Sequence, residues 1–508
     1  RPERVVSIDD LHFDISITVA WMWQSCKWNF KSGYAPDKLL LGAVAFMMAL
    51  FYLVNSNDTE IRMYSWRVIS SAINIFVAVL IFSASNRLLE YHVFWDIPAE
   101  IRHFHGFAIV VDFVHMLFWM MMMNFVLWFV ARRVRLQYEV SEGDQSAHRH
   151  ELDVKAWAML FAHVTGFAAI NCFGDLQQVF FADSPAHSEL VLPIAALCFG
   201  GLFWAGAEIN HAWYMCKFSQ LDEDYFDLWE EQMDEAENDM AALCLSFLIC
   251  QSVRFHTGGR LPDPEGNEPP LTRTSWLLSI SAAFALAAVV SVQLVDVTSR
   301  MLAKSLKRTF EVIQLVCCMC CAWCCYYGAK RLLISLLPPW AVVEMILRVV
   351  LAVVFSAVAF LVILALNWVV DRRKVSKAVQ QQRFRLQRLW SRVGSSQDLS
   401  TKFKHRRSRW WRHKAADLQQ SLVLHGSDTL IKATAILIGF GWEQAFESSV
   451  TKTCERTPVG HPVWSELVLS IILAVMVLPA WRMYILPQTH GESREPAFLL
   501  KTMSLPPQ

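Results

Sequence analysis

Ser188-Glu189-Leu190-Val191-Leu192 and Ser465-Glu466-Leu467-Val468-Leu469 are one five-residue string written twice in the same chain. Upstream of each stands a second matched pattern, Gly166-Phe167 with Phe173 and Gly439-Phe440 with Phe446. Working outward, Trp128 with Arg132-Arg133 answers to Trp368 with Arg372-Arg373, and Arg62-Met63 to Arg300-Met301. Gln24-Ser25-Cys26-Lys27-Trp28, followed by Pro36-Asp37, answers to Gln251-Ser252-Val253-Arg254-Phe255, followed by Pro262-Asp263. All matches fall in the same order, with an offset rising from about 227 to about 277. Order at a slowly growing offset is the mark of an internal duplication. The expected division is residues 1–236 and 237–508, two divergent copies of one unit.

What the unit is follows from composition. The 508 residues are 55% hydrophobic, with a mean hydropathy of +0.31 and a formal net charge of zero. Apolar stretches run over 38–54, 66–84, 106–131, 154–181 and 188–214 in the first copy. They run over 275–296, 309–329, 343–371, 426–447 and 463–485 in the second. At 1.5 Å per helical residue each can cross a hydrocarbon layer about 30 Å thick, given some tilt. A shorter apolar segment opens each copy, at 14–28 and 239–255. The fold class expected is an all-α polytopic membrane protein of about 12 transmembrane helices, ten firm and two short, in two parallel six-helix pseudo-repeats.

Loop charge chooses between parallel and inverted copies, because Lys and Arg gather on the cytosolic side. Between 372 and 414 stand fifteen Lys or Arg and one acidic residue, Asp398, so the 372–425 loop is predicted cytosolic. Its mate after Trp128 opens with Arg132, Arg133 and Arg135, and a third basic loop carries Arg300, Lys304, Lys307 and Arg308. All three share one side only if 239–255 crosses the membrane, which makes the copies parallel. A chain opening on Arg1 reads as processed or as a fragment, and no secretory signal pattern opens it. The membrane itself is not legible.

Two charged segments flank these spans. Residues 221–239 hold ten Asp or Glu with Tyr225, Phe226, Leu228, Trp229 and Met233 interleaved, so 221–236 is predicted to be an acidic amphipathic helix. The basic loop interleaves Phe384, Trp390, Phe403, Trp410 and Trp411, as suits anionic headgroups or the acidic segment. A basic loop tethered between spans, with zero net charge, excludes a nucleic-acid-binding domain.

Ionisable side chains inside spans carry the functional expectation, since such groups usually face a cavity, a path or a partner. His425, Asp428, Lys432, Gly439, Glu443 and Glu447 recur at helical spacing, so at about 100° per residue they form one polar seam. Asp428 and Lys432 at i,i+4 can pair structurally, and Glu443 and Glu447 can be interfacial carboxylates. The equivalent first-copy helix carries His163, Asn171 and Asp175, with Asn171 aligned to Gln444. Asp112 and His115 share one span, and Glu208 and His211 another. Glu189 and Glu466 open equivalent helices, where the macrodipole favours a carboxylate. Trp128 and Trp368 are paired structural or gating candidates.

Other chemistries are thinner. Two carboxylate-x-x-His pairs make half of a di-iron pattern, with Glu311 the one further carboxylate on offer. Haem ligation by His115, His163 and His211 lacks a paired spacing. Cys317, Cys318, Cys320, Cys321, Cys324 and Cys325 crowd one helix and point in different directions, so they cannot build one tetrahedral metal site. They read as small packing residues. No metal ligand set and no cofactor is identified, and lipid is the expected surround. Phosphate-binding loops, nucleophile elbows and zinc-protease motifs are absent, so no enzyme is expected.

Two parallel six-helix halves suit transporters and some channels. The arrangement resembles the otopetrin proton channels in helix count and pseudo-symmetry, with no shared motif, so no residue role carries over. The function expected is a multi-pass channel or transporter for protons or small cations using a carboxylate and His seam. The alternatives are a non-transporting scaffold or accessory subunit, with partner membrane subunits or a second copy, and a membrane-bound metal or haem redox protein.

Overall fold

The structure is a computed structural model that describes residues 48, 50–56, 58–94, 105–138, 144–217, 223–262, 274–298, 304–336, 347–365, 368, 433–446, 449–450 and 462–489. These residues are almost all helical, and no strand occurs among them. In chain order the helices are α1 (Thr59–Leu89), α2 (His105–Tyr138), α3 (Asp144–Phe180), α4 (Val191–Lys217) and α5 (Glu223–Gly258). Then come α6 (Thr274–Thr298), α7 (Lys304–Leu336), α8 (Leu347–Ala365), α9 (433–446) and α10 (Pro462–Ala480). Nine of the helical segments among the described residues are long and apolar enough to cross a membrane, as an integral multi-pass membrane protein requires.

Local chemistry sets the ends. Asp58 opens α1, its carbonyl accepting from Arg62 N–H and its carboxylate from Ile61 N–H. Ser184 caps the one-turn helix Pro185–Ser188 between α3 and α4 by accepting from His187 N–H. Gly259, at φ +73°, closes α5 with its N–H on the Phe255 carbonyl, a conformation that favours glycine.

Side-chain contacts fix the helix directions. Asn74, Phe82 and Asn86 of α1 meet His163, Phe167 and Asn171 of α3 in ascending order, so α1 and α3 are parallel. Lys155, Gly166 and Gln177 of α3 meet Glu235, Leu243 and Ser252 of α5, again parallel. Ser246, Cys250 and Arg254 of α5 meet Cys320, Cys324 and Tyr327 of α7 likewise. In contrast, Asp112 and Trp119 of α2 meet Asn171 and Phe161 of α3 in descending order, and Arg87 and Ser70 of α1 meet Glu466 and Trp481. α1, α3, α5 and α7 thus run one way, and α2 and α10, which pack on α3 and α1, run the other.

Burial places α3 and α5 at the centre. About 72% of each one's apolar window is buried, against 17–22% for α2, α4, α6 and α10 at the periphery. Close crossings use glycine: a Cβ on Gly166 would come 2.7 Å from Leu243 Cδ2, and one on Gly439 2.5 Å from Ile75 Cδ1. Small residues at such points let helices approach where lipid supplies no hydrophobic drive.

The segment at 239–255 is not short. It is the inner part of the 36-residue α5, and the candidate span runs Leu228–Gly258. The acidic stretch from 223 to 239 is nearly the first half of that same helix, so the 236/237 division falls inside α5. Trp229, Met233, Ala236 and Met240 form its buried stripe. Its acids find partners on neighbouring helices: Asp234 and Glu237 pair with Arg308 at 2.7 and 2.8 Å, and Glu235 with Lys155 at 3.5 Å. The segments at 14–28 and 372–425 lie outside the described residues, and 38–54 mostly does.

Candidate functional site: a polar interface between α1, α2 and α3

Three helices converge on a buried polar cluster. Asn171 of α3 donates to Asp112 Oδ1 of α2 at 3.0 Å and to Asn86 Oδ1 of α1 at 3.4 Å. Asp175, one turn along α3, faces Asp112 within hydrogen-bonding reach, and two carboxyls so placed can hold a proton between them. Asn86 also donates to Glu90 Oε1 at 2.9 Å, and Glu90 is exposed. Asp112 is only 8% exposed. The chain of side chains therefore leads from an accessible carboxylate to buried Asp112 and partly buried Asp175.

Asn86, Asn171 and Asp175 meet because 171 and 175 share one face of α3 and both helices run the same way. Toward the bundle centre the next group is His115, one turn along α2 from Asp112. Its Nε2 accepts from Trp119 Nε1 at 2.8 Å and lies 3.3 Å from Ser85 Oγ. Phe82 stacks against the His115 ring at 5.9 Å and against Phe167 at 6.1 Å, and Phe167 meets Phe440 edge-on at 6.3 Å. Beyond this aromatic belt lies the pair Asn74 and His163. Asn171, Phe167 and His163 stand four residues apart on α3, so each step is about 6 Å along the axis.

The farther end of α1 and α3 is closed by the helical turn Trp481–Ile485 that follows α10. Trp481 Nε1 donates to Ser70 Oγ at 2.8 Å, and Arg482 holds Asp153 through two bonds of 2.7 and 2.6 Å. Such bidentate geometry fixes the register of the helices.

Other candidates sit elsewhere. Glu443 is buried and accepts from its neighbour Gln444. It lines a small cleft with Phe76, Leu80, Ser83, Glu466 and Ser470. Asp428, Lys432 and Glu447 lie outside the described residues, so the seam on α9 is described only at Glu443 and Gln444. Glu466 is buried and ion-paired with Arg87, while Glu189 pairs with His256 at 2.8 Å on the exposed rim. Glu208 and His211 face outward on α4 and join neither each other nor Asp112 and His115 in any hydrogen bond among the described residues. Trp128 carries Arg132 over its ring at 5.4 Å, and Trp368 is exposed.

Among the described residues no group of three or more His, Cys, Asp or Glu could hold a metal ion. The cysteine run packs α7 against α5 and α6: Cys324 Sγ lies 3.8 Å from Cys250 Sγ, and Ser281 Oγ donates to the Cys321 carbonyl at 2.8 Å. Sequence reading missed Asn74, Ser85, Asn86 and Glu90. Asn74, Ser85 and Asn86 are on α1 and Glu90 on the turn that continues it, all inside the apolar span Ile61–His92, and that placement is the signal that could have found them.

The fold and this interface define an all-helical protein with apolar helices of membrane-crossing length and a polar, partly buried acidic cluster. Comparison with protein families, with curated proteins and with solved structures finds no match for this chain.

Proposed function

We propose that the protein conducts protons or small cations across its membrane, with the α1/α2/α3 interface as the path. The observation that carries this reading is the chain Glu90, Asn86, Asn171, Asp112 and Asp175, which leads from an exposed carboxylate to a carboxyl pair of which Asp112 is buried and Asp175 partly buried. Holding two carboxyls in a lipid-embedded bundle is costly, and such groups mark ion and proton pathways. Glu443 in its cleft is a second element of the same kind, between α1, α9 and α10.

The parallel six-helix duplication belongs to this proposal. Two features support it. Phe167 and Phe440, equivalent in the two matched strings, touch each other, as residues beside a twofold axis must. Phe76 and Leu80 of α1 meet Phe446 and Val450 in ascending order, so α9 runs parallel to α1 and therefore to α3, its proposed equivalent.

A scaffold is the second reading, favoured by the charges that are locally paired: Arg87 with Glu466, and Arg308 with Asp234 and Glu237. Purified protein in liposomes, assayed with dyes for protons, sodium and potassium, separates the two. Conduction that falls at least tenfold in the Asp112→Asn/Asp175→Asn variant supports the path. No flux of any ion from folded protein supports the scaffold.

A further inference from the structure

Glu208 and His211 stand exposed on the outer face of α4, three residues apart on one side of the helix. Their depth follows from α2. Asn124 of α2 donates to Asn210 of α4 at 3.0 Å, and a Cβ on Gly206 would come 4.0 Å from Met120 Cε. The two helices therefore run parallel, with residues 86 apart at one level. His211 is level with Phe125, and Phe129, a turn farther along α2, is still exposed among apolar neighbours. Both polar groups thus lie inside the apolar belt, about 9 and 14 Å short of the helix end at Lys217. A carboxylate and an imidazole turned toward hydrocarbon are costly, and such groups face a partner or a cavity. Among the described residues neither joins a hydrogen bond or an ion pair.

The same face carries a notch and a knob. A Cβ on Gly200 or on Gly201 would meet nothing within 4 Å, whereas Cβ atoms on Gly166, Gly328, Gly439 and Gly441 would come 2.5–3.2 Å from a neighbouring helix. Glycine inside a helix is costly relative to alanine, and in membrane bundles it marks places where another helix comes close. One turn beyond the glycine pair, Trp204 projects outward, 69% exposed. At about 100° per residue, Gly200, Gly201, Trp204, Glu208 and His211 share one arc of about 100° on α4.

We propose that this face is the contact of a homodimer in the membrane, in which α4 of one copy packs parallel to α4 of the other. Two copies of one membrane protein cross the bilayer in the same sense, so a twofold axis along the membrane normal sets like helices side by side. In such a contact residue i meets residue j while j meets i. Helical side chains lean toward the N-terminus, so His211 and Trp204 each lie level with residues one turn earlier. His211 of each copy then donates to Glu208 of the other, and Trp204 of each fills the Gly200–Gly201 notch of the other. Both pairs have the same stagger of three to four residues, so a single crossing satisfies both. A foreign helix would have to repeat acid, base, notch and knob in this order, and a second copy does so by identity. The dimer goes beyond the conduction reading, and its test involves no flux.

The test weighs the full chain by light scattering across a dilution series in detergent and counts labelled copies by photobleaching in liposomes. The wild type is compared with Gly200→Leu/Gly201→Leu, Trp204→Ala, Glu208→His, His211→Glu and the exchange Glu208→His/His211→Glu, with folding followed by melting temperature. All these side chains point out of the bundle, so the variants should fold. Expected are a wild-type dimer and a dissociation constant at least tenfold higher in the glycine and Trp204 variants. Glu208→His and His211→Glu, which set like groups against each other, should each weaken the dimer several-fold, and the exchange should return to within about twofold of the wild type. Monomer at every dilution overturns the proposal, and so does a dimer that a folded glycine or Trp204 variant leaves unchanged. An exchange as weak as the single variants overturns the Glu208–His211 pairing and with it the parallel contact. Where the glycine and Trp204 variants fail to fold, the exchange alone decides. Monomeric wild type with a melting temperature lowered by these substitutions would mean that another segment of this chain covers the face, which also overturns the dimer.

Discussion

The α1/α2/α3 interface and the α7/α8/α9 interface occupy corresponding places in the proposed repeat, and they differ in that the second has no carboxyl cluster among the described residues; its polar contacts include Arg348 on the Gln444 carbonyl and Trp442 on Ser356. The first holds Asn86, Asp112, Asn171 and Asp175 in one hydrogen-bonded group. The second holds Trp323 against Phe440 at 3.6 Å, Tyr326 against Phe355 at 5.8 Å, and Ala352 against Gly441. By the offset of Trp128 to Trp368, Asp112 corresponds to Ala352 and His115 to Phe355. In the proposed repeat, a polar seam in one half answers to a largely aromatic, close-packed interface in the other. Packing alone does not require the carboxyls, since the partner interface closes without them.

The contrast makes predictions of decreasing size. Asp112→Asn should cut flux at least tenfold while shifting the melting temperature little, because Asn keeps a hydrogen-bonding group opposite Asn171. Phe440→Ala, in the aromatic wall, should lower stability by about 3–5 kcal/mol, the range for removing a buried aromatic, read as a fall in melting temperature in detergent. Arg87→Met should cost about 3–5 kcal/mol by leaving Glu466 buried without its cation. Arg87→Met/Glu466→Met should recover most of that loss. Gly439→Ala should cost about 1–3 kcal/mol through its clash with Ile75, and Ile75→Ala in the same chain should relieve the clash. Glu189→Gln should change stability by less than about 1 kcal/mol, since its pair with His256 is exposed on both sides. A large loss of stability in Asp112→Asn would erase the contrast, because it would make the seam a structural element like the wall.

Sequence reading recovered most of the fold because a run of apolar residues as long as the bilayer is thick leaves few alternatives. Eight of the ten stretches read as firm spans recur among the nine described spans; the ninth is α5. It was read short because Glu230, Glu231, Asp234, Glu235 and Glu237 lower the local hydropathy. What keeps them in a membrane-length helix is Arg308 and Lys155 on other helices, which no local window can see.

The site was half legible. Asp112, His115, Asn171, Asp175 and His163 were singled out as ionisable or amide groups inside spans, and they do line one interface. That Glu208 and His211 would stay apart from them was not legible, because their i,i+3 spacing equals that of Asp112 and His115 and the difference lies in which helix is peripheral. Asn74, Ser85, Asn86 and Glu90 were missed because single polar residues at 74, 85–86 and 90 make no period. Their role depends on α1 and α3 running parallel, a property of the assembled bundle.

The central claim, a proton path through the α1/α2/α3 interface, is tested most directly by proton flux into liposomes for the wild type and Asp112→Asn/Asp175→Asn, with matched folding. The account predicts rapid acidification down an imposed gradient in the wild type and at least a tenfold slower rate in the variant. Equal rates in the two proteins, or no proton entry in either, would contradict it.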